Sequence, residues 1–141
     1  FSLNRASRLW KTADTYQFVN KLRPYKGGAA MTQLRFLEAH TETHYKDMSL
    51  LHALGWRAAY HGLIPKDYLD REILDDRWVP FFHDNCGTGK LQGLILYNGE
   101  HPLCCGVYGP VRTELQPKGL PSLAQWGELI SLYVHPAHWH S

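Results

Sequence analysis

The chain has 141 residues and a mass of 16.2 kDa, enough for one hydrophobic core and too little for two ordinary domains. At 44% hydrophobic and 20% charged residues it reads as globular, and no apolar run approaches the roughly 20 residues that span a bilayer, so a soluble protein with no membrane partner is expected. The net charge of +2 hides an asymmetry: residues 1–30 carry Arg5, Arg8, Lys11, Lys21, Arg23 and Lys26 against Asp14, a balance of +5, while the rest carries nine basic and twelve acidic residues, a balance of −3. The basic excess is therefore not a property of the body, which speaks against a nucleic-acid partner for the folded part.

Three cysteines, Cys86, Cys104 and Cys105, cannot all pair, and the adjacent two are poorly placed to bridge each other, so a reduced, cytoplasmic setting is expected. Residues 1–30 show no clean period and close on Pro24, Gly27 and Gly28 before Met31. Three accounts compete for this segment: a basic arm, an Arg-rich targeting segment, or residues ahead of a natural start at Met31. A solvated disordered tail would read the same way. The organised pattern begins after Met31, so the expected division is a basic extension over 1–30 and a single domain over 31–141.

Gln33 to Ala39 alternates as a first strand, with Leu34, Phe36 and Glu38 on one side and Arg35 and Leu37 on the other. From about Lys46 to Tyr60, Leu50, Leu51, Leu54, Ala58 and Ala59 recur at three- and four-residue steps, which predicts a helix with one buried stripe. Gly62 suits its stop. Pro65 and Asp67 open a second helical region with Leu69, Ile73, Leu74, Trp78 and Phe82 as its apolar face, expected to kink or end near Val79 because of Pro80.

Asn85 to Lys90 is a loop by composition, and its glycines lack the spacing of a phosphate-binding loop. Leu91–Tyr97 and Leu103–Tyr108 then flank Asn98-Gly99, a pair suited to a tight hairpin turn. After a Pro- and Gly-bearing connection over 111–125 comes the last strand signal, Trp126 to Pro136. Its apolar residues fall on both alternating faces, Ile130, Leu132 and Val134 on one and Leu129 and Tyr133 on the other, which predicts cover on both sides. Glu128 shares the face of Ile130, and a carboxylate there must be paired, hydrated at a cleft or shifted toward the neutral acid. The order is strand, helix, helix, hairpin, strand.

With that order in view, Met31 to Ser141 resembles the N-terminal part of a GNAT-superfamily N-acetyltransferase. The likeness rests on three stretches. Trp56-Arg57-Ala58-Ala59-Tyr60-His61-Gly62-Leu63-Ile64-Pro65 with Tyr68-Leu69 resembles the junction of the family's first two helices. Gly106-Val107-Tyr108-Gly109-Pro110-Val111-Arg112 is similar to its third strand, and Glu128 to Pro136 to its fourth. The resemblance implies a mixed α/β fold with a mostly antiparallel sheet flanked by helices. It also implies acetyl-CoA as co-substrate and, after the fourth strand, a Gln/Arg-x-x-Gly-x-Gly/Ala loop whose amides hold the pyrophosphate at a helix start. The chain stops before such a loop, so truncation after the fourth strand is expected.

Acetyl transfer to an amine needs a neutral amine, a polarised thioester carbonyl and a proton donor for the leaving sulfur. By resemblance, Leu132, Tyr133 and Val134 take the cofactor-contact positions through their backbone, and Glu128 sits where some members place a general base. For Glu128 the alternative is structural, a pairing with Arg57 or Arg112. Trp56, Tyr60 and Tyr68 border the helix junction that lines the acceptor pocket in related proteins, and aromatics at helical spacing also serve as plain core. A metal site built from His135, His138 and His140 with Cys104 and Cys105 matches no structural zinc spacing, so none is expected.

The expected function is therefore transfer of an acetyl group from acetyl-CoA to a primary amine, on a small molecule or a peptide. The alternative is a non-catalytic interaction module that pairs through its last strand, and a homodimer fits either.

Overall fold

The computed structural model describes residues 33–112 and 126–140. The basic segment 1–30 and the connection over 113–125 lie outside the described residues. Strand β1 (Leu34–Glu38) leads into helix α1 (Glu42–Ala59), two short helices α2 (Lys66–Glu72) and α3 (Val79–Asn85), then strands β2 (Gln92–Asn98), β3 (His101–Pro110) and β4 (Gly127–Val134). A single 3-10 turn, Pro136–His138, follows β4. The strands pair antiparallel in the order β1-β2-β3-β4, so the protein is mixed α/β with an antiparallel sheet, as expected.

Helix α1 begins four residues before the expected start at Lys46, because its start signal is a polar cap. Thr41 Oγ1 accepts a hydrogen bond from the His44 amide at 3.2 Å, and Glu42 and Arg57 in the first and last turns suit the helix dipole. The buried face also differs from the expected stripe. Tyr45, Met48, Ser49, Leu51, His52, Ala53 and Gly55 are buried, whereas Ala58 and Ala59 are exposed. Hydropathy passes over serine, histidine and glycine, yet the helix needs a small residue where it meets β4. A β-carbon on Gly55 would stand 2.6 Å from the Tyr133 ring.

The second helical region is two helices, and the break comes at Glu72, ahead of the kink or end expected near Val79. α2 ends at Glu72, and Pro80 lies in the first turn of α3, where its missing N–H costs nothing and its fixed φ is pre-set for a helix. Arg57 ties the link between α2 and α3 back to α1, donating to the Ile73 carbonyl at 3.0 Å and to Asp75 at 2.6 Å. The β2–β3 hairpin turns at Gly99, whose φ of 60° is the left-handed conformation its position requires.

The core lies between the helices and one face of the sheet, where Met48, Leu51 and Phe82 meet Ile95, Cys105 and Val107. The other face is open among the described residues. Phe36, Leu94, Cys104, Tyr108, Leu129 and Leu132 are among the residues that line an apolar groove of about 630 Å³ there. The expectation that β4 is covered on both faces is thus not met: Leu129 and Leu132 are 63% and 64% exposed.

The facial grouping of β4 changes too. Val107 pairs with Ser131 and Tyr108 with Leu129, which leaves Ile130 as the extra residue of a β-bulge. Such a residue shifts the alternation by one. Leu132 and Val134 therefore turn to the open side with Leu129, while Ile130 and Tyr133 pack on the core.

Candidate functional site

Strand β4 is an edge among the described residues, and its pairing fixes which backbone groups face outward. The His135 amide donates to the Leu103 carbonyl at 2.8 Å while Cys104 stands opposite Val134, so Cys104 and Val134 form a non-hydrogen-bonded pair. The N–H and C=O of Val134, and two residues back those of Leu132, point away from β3. Tyr133, between them, turns its backbone to β3. Of the three residues given cofactor-contact positions by resemblance, two present backbone groups to the edge and the third presents a side chain to α1. The outward carbonyl of Val134 is met by the indole N–H of Trp139, which donates to it at 2.9 Å. Sequence reasoning passed over Trp139.

On the helix side of β4 lies a cluster of aromatic and polar groups. The Tyr133 ring stacks on His52 with centroids 4.0 Å apart. Trp56 stacks on Tyr60 at 4.6 Å, and burial raises the pKa of the nearby Tyr133 hydroxyl. The structure thus brings Trp56 and Tyr60 beside β4, with Tyr60 38% exposed. Tyr68, 41% exposed on α2, makes no ring contact with them. It is also absent from the lining of the cleft of about 570 Å³ at the α1–α2 junction, which Arg57, His61, Ile64 and Lys66 help to form.

His52 and Ser131 are the site residues that the sequence reading did not single out. His52 Nδ1 lies 2.8 Å from the Met48 carbonyl and Nε2 lies 3.2 Å from Ser131 Oγ. Because a carbonyl only accepts, Nδ1 carries the proton, Nε2 is the bare acceptor, and the Ser131 hydroxyl donates to it. Burial holds the His52 pKa down at about 4, so the ring is neutral at physiological pH. The signal that finds His52 is positional: it falls four residues after Met48 and three before Gly55, on the buried face of α1.

Glu128 sits at the start of β4 and is held by Arg112. The Arg112 amide and Nε donate to its carboxylate at 3.2 and 3.0 Å, and a second guanidinium nitrogen closes a forked pair. These bonds hold its carboxyl below the usual carboxylate range, in the opposite direction from the upward shift that burial would bring. The pairing alternative weighed for Glu128 is the arrangement seen, with Arg112 as partner.

The adjacent cysteines face opposite sides as expected of a strand, Cys105 inward beside His52 at 3.6 Å and Cys104 toward the open groove. Burial pushes both thiols up, which suits packing and not nucleophilic use. Among the described residues no group of three His, Cys, Asp or Glu side chains is placed to hold a metal ion, and no helix is long and apolar enough to cross a membrane.

No protein-family profile matches the chain. It is similar to the uncharacterized N-acetyltransferase YuaI of Bacillus subtilis (strain 168), with 29% identity over 91 residues, which make up 63% of this chain and 46% of YuaI. The chain therefore spans less than half the length of the curated relative it matches.

Proposed function

We propose that this chain forms the β4 wall of an acetyl-CoA-dependent N-acetyltransferase site, with the acyl donor lying along the open edge of β4 and a primary amine entering beside Trp56 and Tyr60. The observation that carries this reading is the edge itself. A bulge at Ile130 breaks the ladder, and beyond it Leu132 and Val134 turn backbone donors and acceptors away from the sheet. An extended, amide-bearing arm such as pantetheine pairs with such an edge as an added strand would. An outward N–H there is placed to polarise a thioester carbonyl. The likeness to a protein named as an N-acetyltransferase supports the same reaction class.

The neutral amine attacks the thioester carbon as a nucleophile, the C–N bond forms as the C–S bond breaks, and the proton given up by the amine nitrogen balances the one that converts the leaving thiolate to free thiol. Glu128 as the group that takes the amine proton requires its ion pair with Arg112 to open, since a carboxylate already held by a guanidinium is a weak acceptor. The test is thiol release by the full-length gene product on a panel of small-molecule and peptide amines, run against pH for the wild type and Glu128→Gln. Amine-dependent release supports the transferase reading, and a pH profile unchanged by Glu128→Gln removes the base role.

A second reading, an interaction module that pairs through β4, is favoured by the exposure of Leu129 and Leu132 beside an open edge. Light scattering separates the two: a catalytically active monomer removes it.

A further inference from the structure

Resting on the acetyltransferase reading, we propose that the Ser131 hydroxyl positions the acceptor amine and that His52 sets the direction of that hydroxyl. Ser131 lies next to the extra residue of the β4 bulge, half-buried, on the side of the strand that faces the His52 ring. A free serine hydroxyl rotates and offers its hydrogen or its lone pairs to whatever is near. Here the rotation is fixed. The hydrogen is committed to His52 Nε2 at 3.2 Å, so both lone pairs of Ser131 are left to accept. An amine in position to attack a carbonyl keeps its own lone pair for the carbon and has only N–H groups to offer its surroundings. A hydroxyl that accepts and does not donate matches that need.

Each element around His52 holds the ring in this state. The Met48 carbonyl on α1 takes the Nδ1 hydrogen at 2.8 Å. Tyr133 on β4 stacks on one face of the ring at 4.0 Å, and Trp78 and Phe82 approach at 5.5 and 5.2 Å. Cys105 on β3, whose thiol also reaches the Met48 carbonyl, completes the enclosure. With its tautomer and plane both fixed, His52 is a positioning residue that acts through Ser131 and needs no contact with substrate.

The experiment is steady-state kinetics of the full-length gene product with acetyl-CoA and its best primary amine, together with nitrogen NMR of the His52 ring. Ser131→Ala is expected to raise KM for the amine about tenfold, the scale of one lost hydrogen bond, and to leave KM for acetyl-CoA unchanged. Ser131→Thr keeps the hydroxyl on a residue that strands accept, and is expected to restore most of the amine KM. At neutral pH the His52 ring is expected to show a protonated Nδ1 and a bare Nε2, a readout that does not depend on activity. Transfer by the wild type with an unaltered amine KM in Ser131→Ala overturns this inference alone, as does a ring protonated on Nε2. A wild type that acetylates no amine overturns the transferase reading and the inference with it.

Discussion

At the scale of single residues, His52 and Glu128 both lower stability in acid, but in different windows. The His52 pKa in the folded chain is about 4, below the ordinary 6.5, because a protonated ring would sit among Trp78, Phe82, Tyr133, Ser131 and Cys105 with no anion to meet it. The unfolded chain binds that proton more readily. The contribution of the neutral ring is therefore complete above about pH 6.5 and is lost as pH falls toward 4, by roughly 3 kcal/mol at most. Glu128 loses its contribution at lower pH, as its carboxyl protonates below the ordinary carboxylate value against the pull of Arg112. Urea unfolding midpoints measured across pH are expected to fall between 6.5 and 4 for the wild type and to fall distinctly less over that interval in His52→Gln, where the burial-lowered His135 still contributes. The Arg112 partner of Glu128 was within reach of sequence reasoning because a misplaced carboxylate asks for a cation. The His52–Ser131 bond was not, since it joins residues 79 apart and depends on a bulge that simple alternation along β4 does not register.

Among the elements, the contact of α1 with β4 is set by shape. Gly55→Ala gains helix propensity worth about 1 kcal/mol, yet its β-carbon would meet the Tyr133 ring at 2.6 Å, and overpacking of that kind costs about 1–3 kcal/mol. Net destabilisation is expected, with a less than additive loss when Gly55→Ala is combined with Tyr133→Ala, measured as the shift in denaturation midpoint. At the other end of α1, Thr41→Ala removes the side-chain acceptor for the His44 amide and is expected to cost about 1 kcal/mol by the same measurement. The hairpin was legible because Asn98-Gly99 is a local signal that needs no tertiary help. The kink or end expected near Val79 falls instead at Glu72, because Pro80 ends one helix or starts another with equal local logic, and only the turns between Leu74 and Trp78 decide which.

For the whole molecule, the order strand, helices, hairpin, strand was readable in the chain because each step rests on its own period, although the helical stretch holds three helices where two were expected. Cover on the second face of the sheet was not, because it belongs to whatever packs there and β4's apolar residues look alike whether or not they are covered. Among the described residues that face presents Phe36, Leu94, Leu129 and Leu132 around an apolar groove. Leu129→Lys is expected to change the stability of this chain by less than about 0.5 kcal/mol while reducing its binding of an apolar dye. The edge of β4 is where the fold and the proposed chemistry meet. The most direct test is a backbone amide spectrum of the full-length gene product during acetyl-CoA titration: the proposed site requires the largest shifts at Leu132 and Val134, and saturable binding that leaves both unmoved, or no binding, contradicts it.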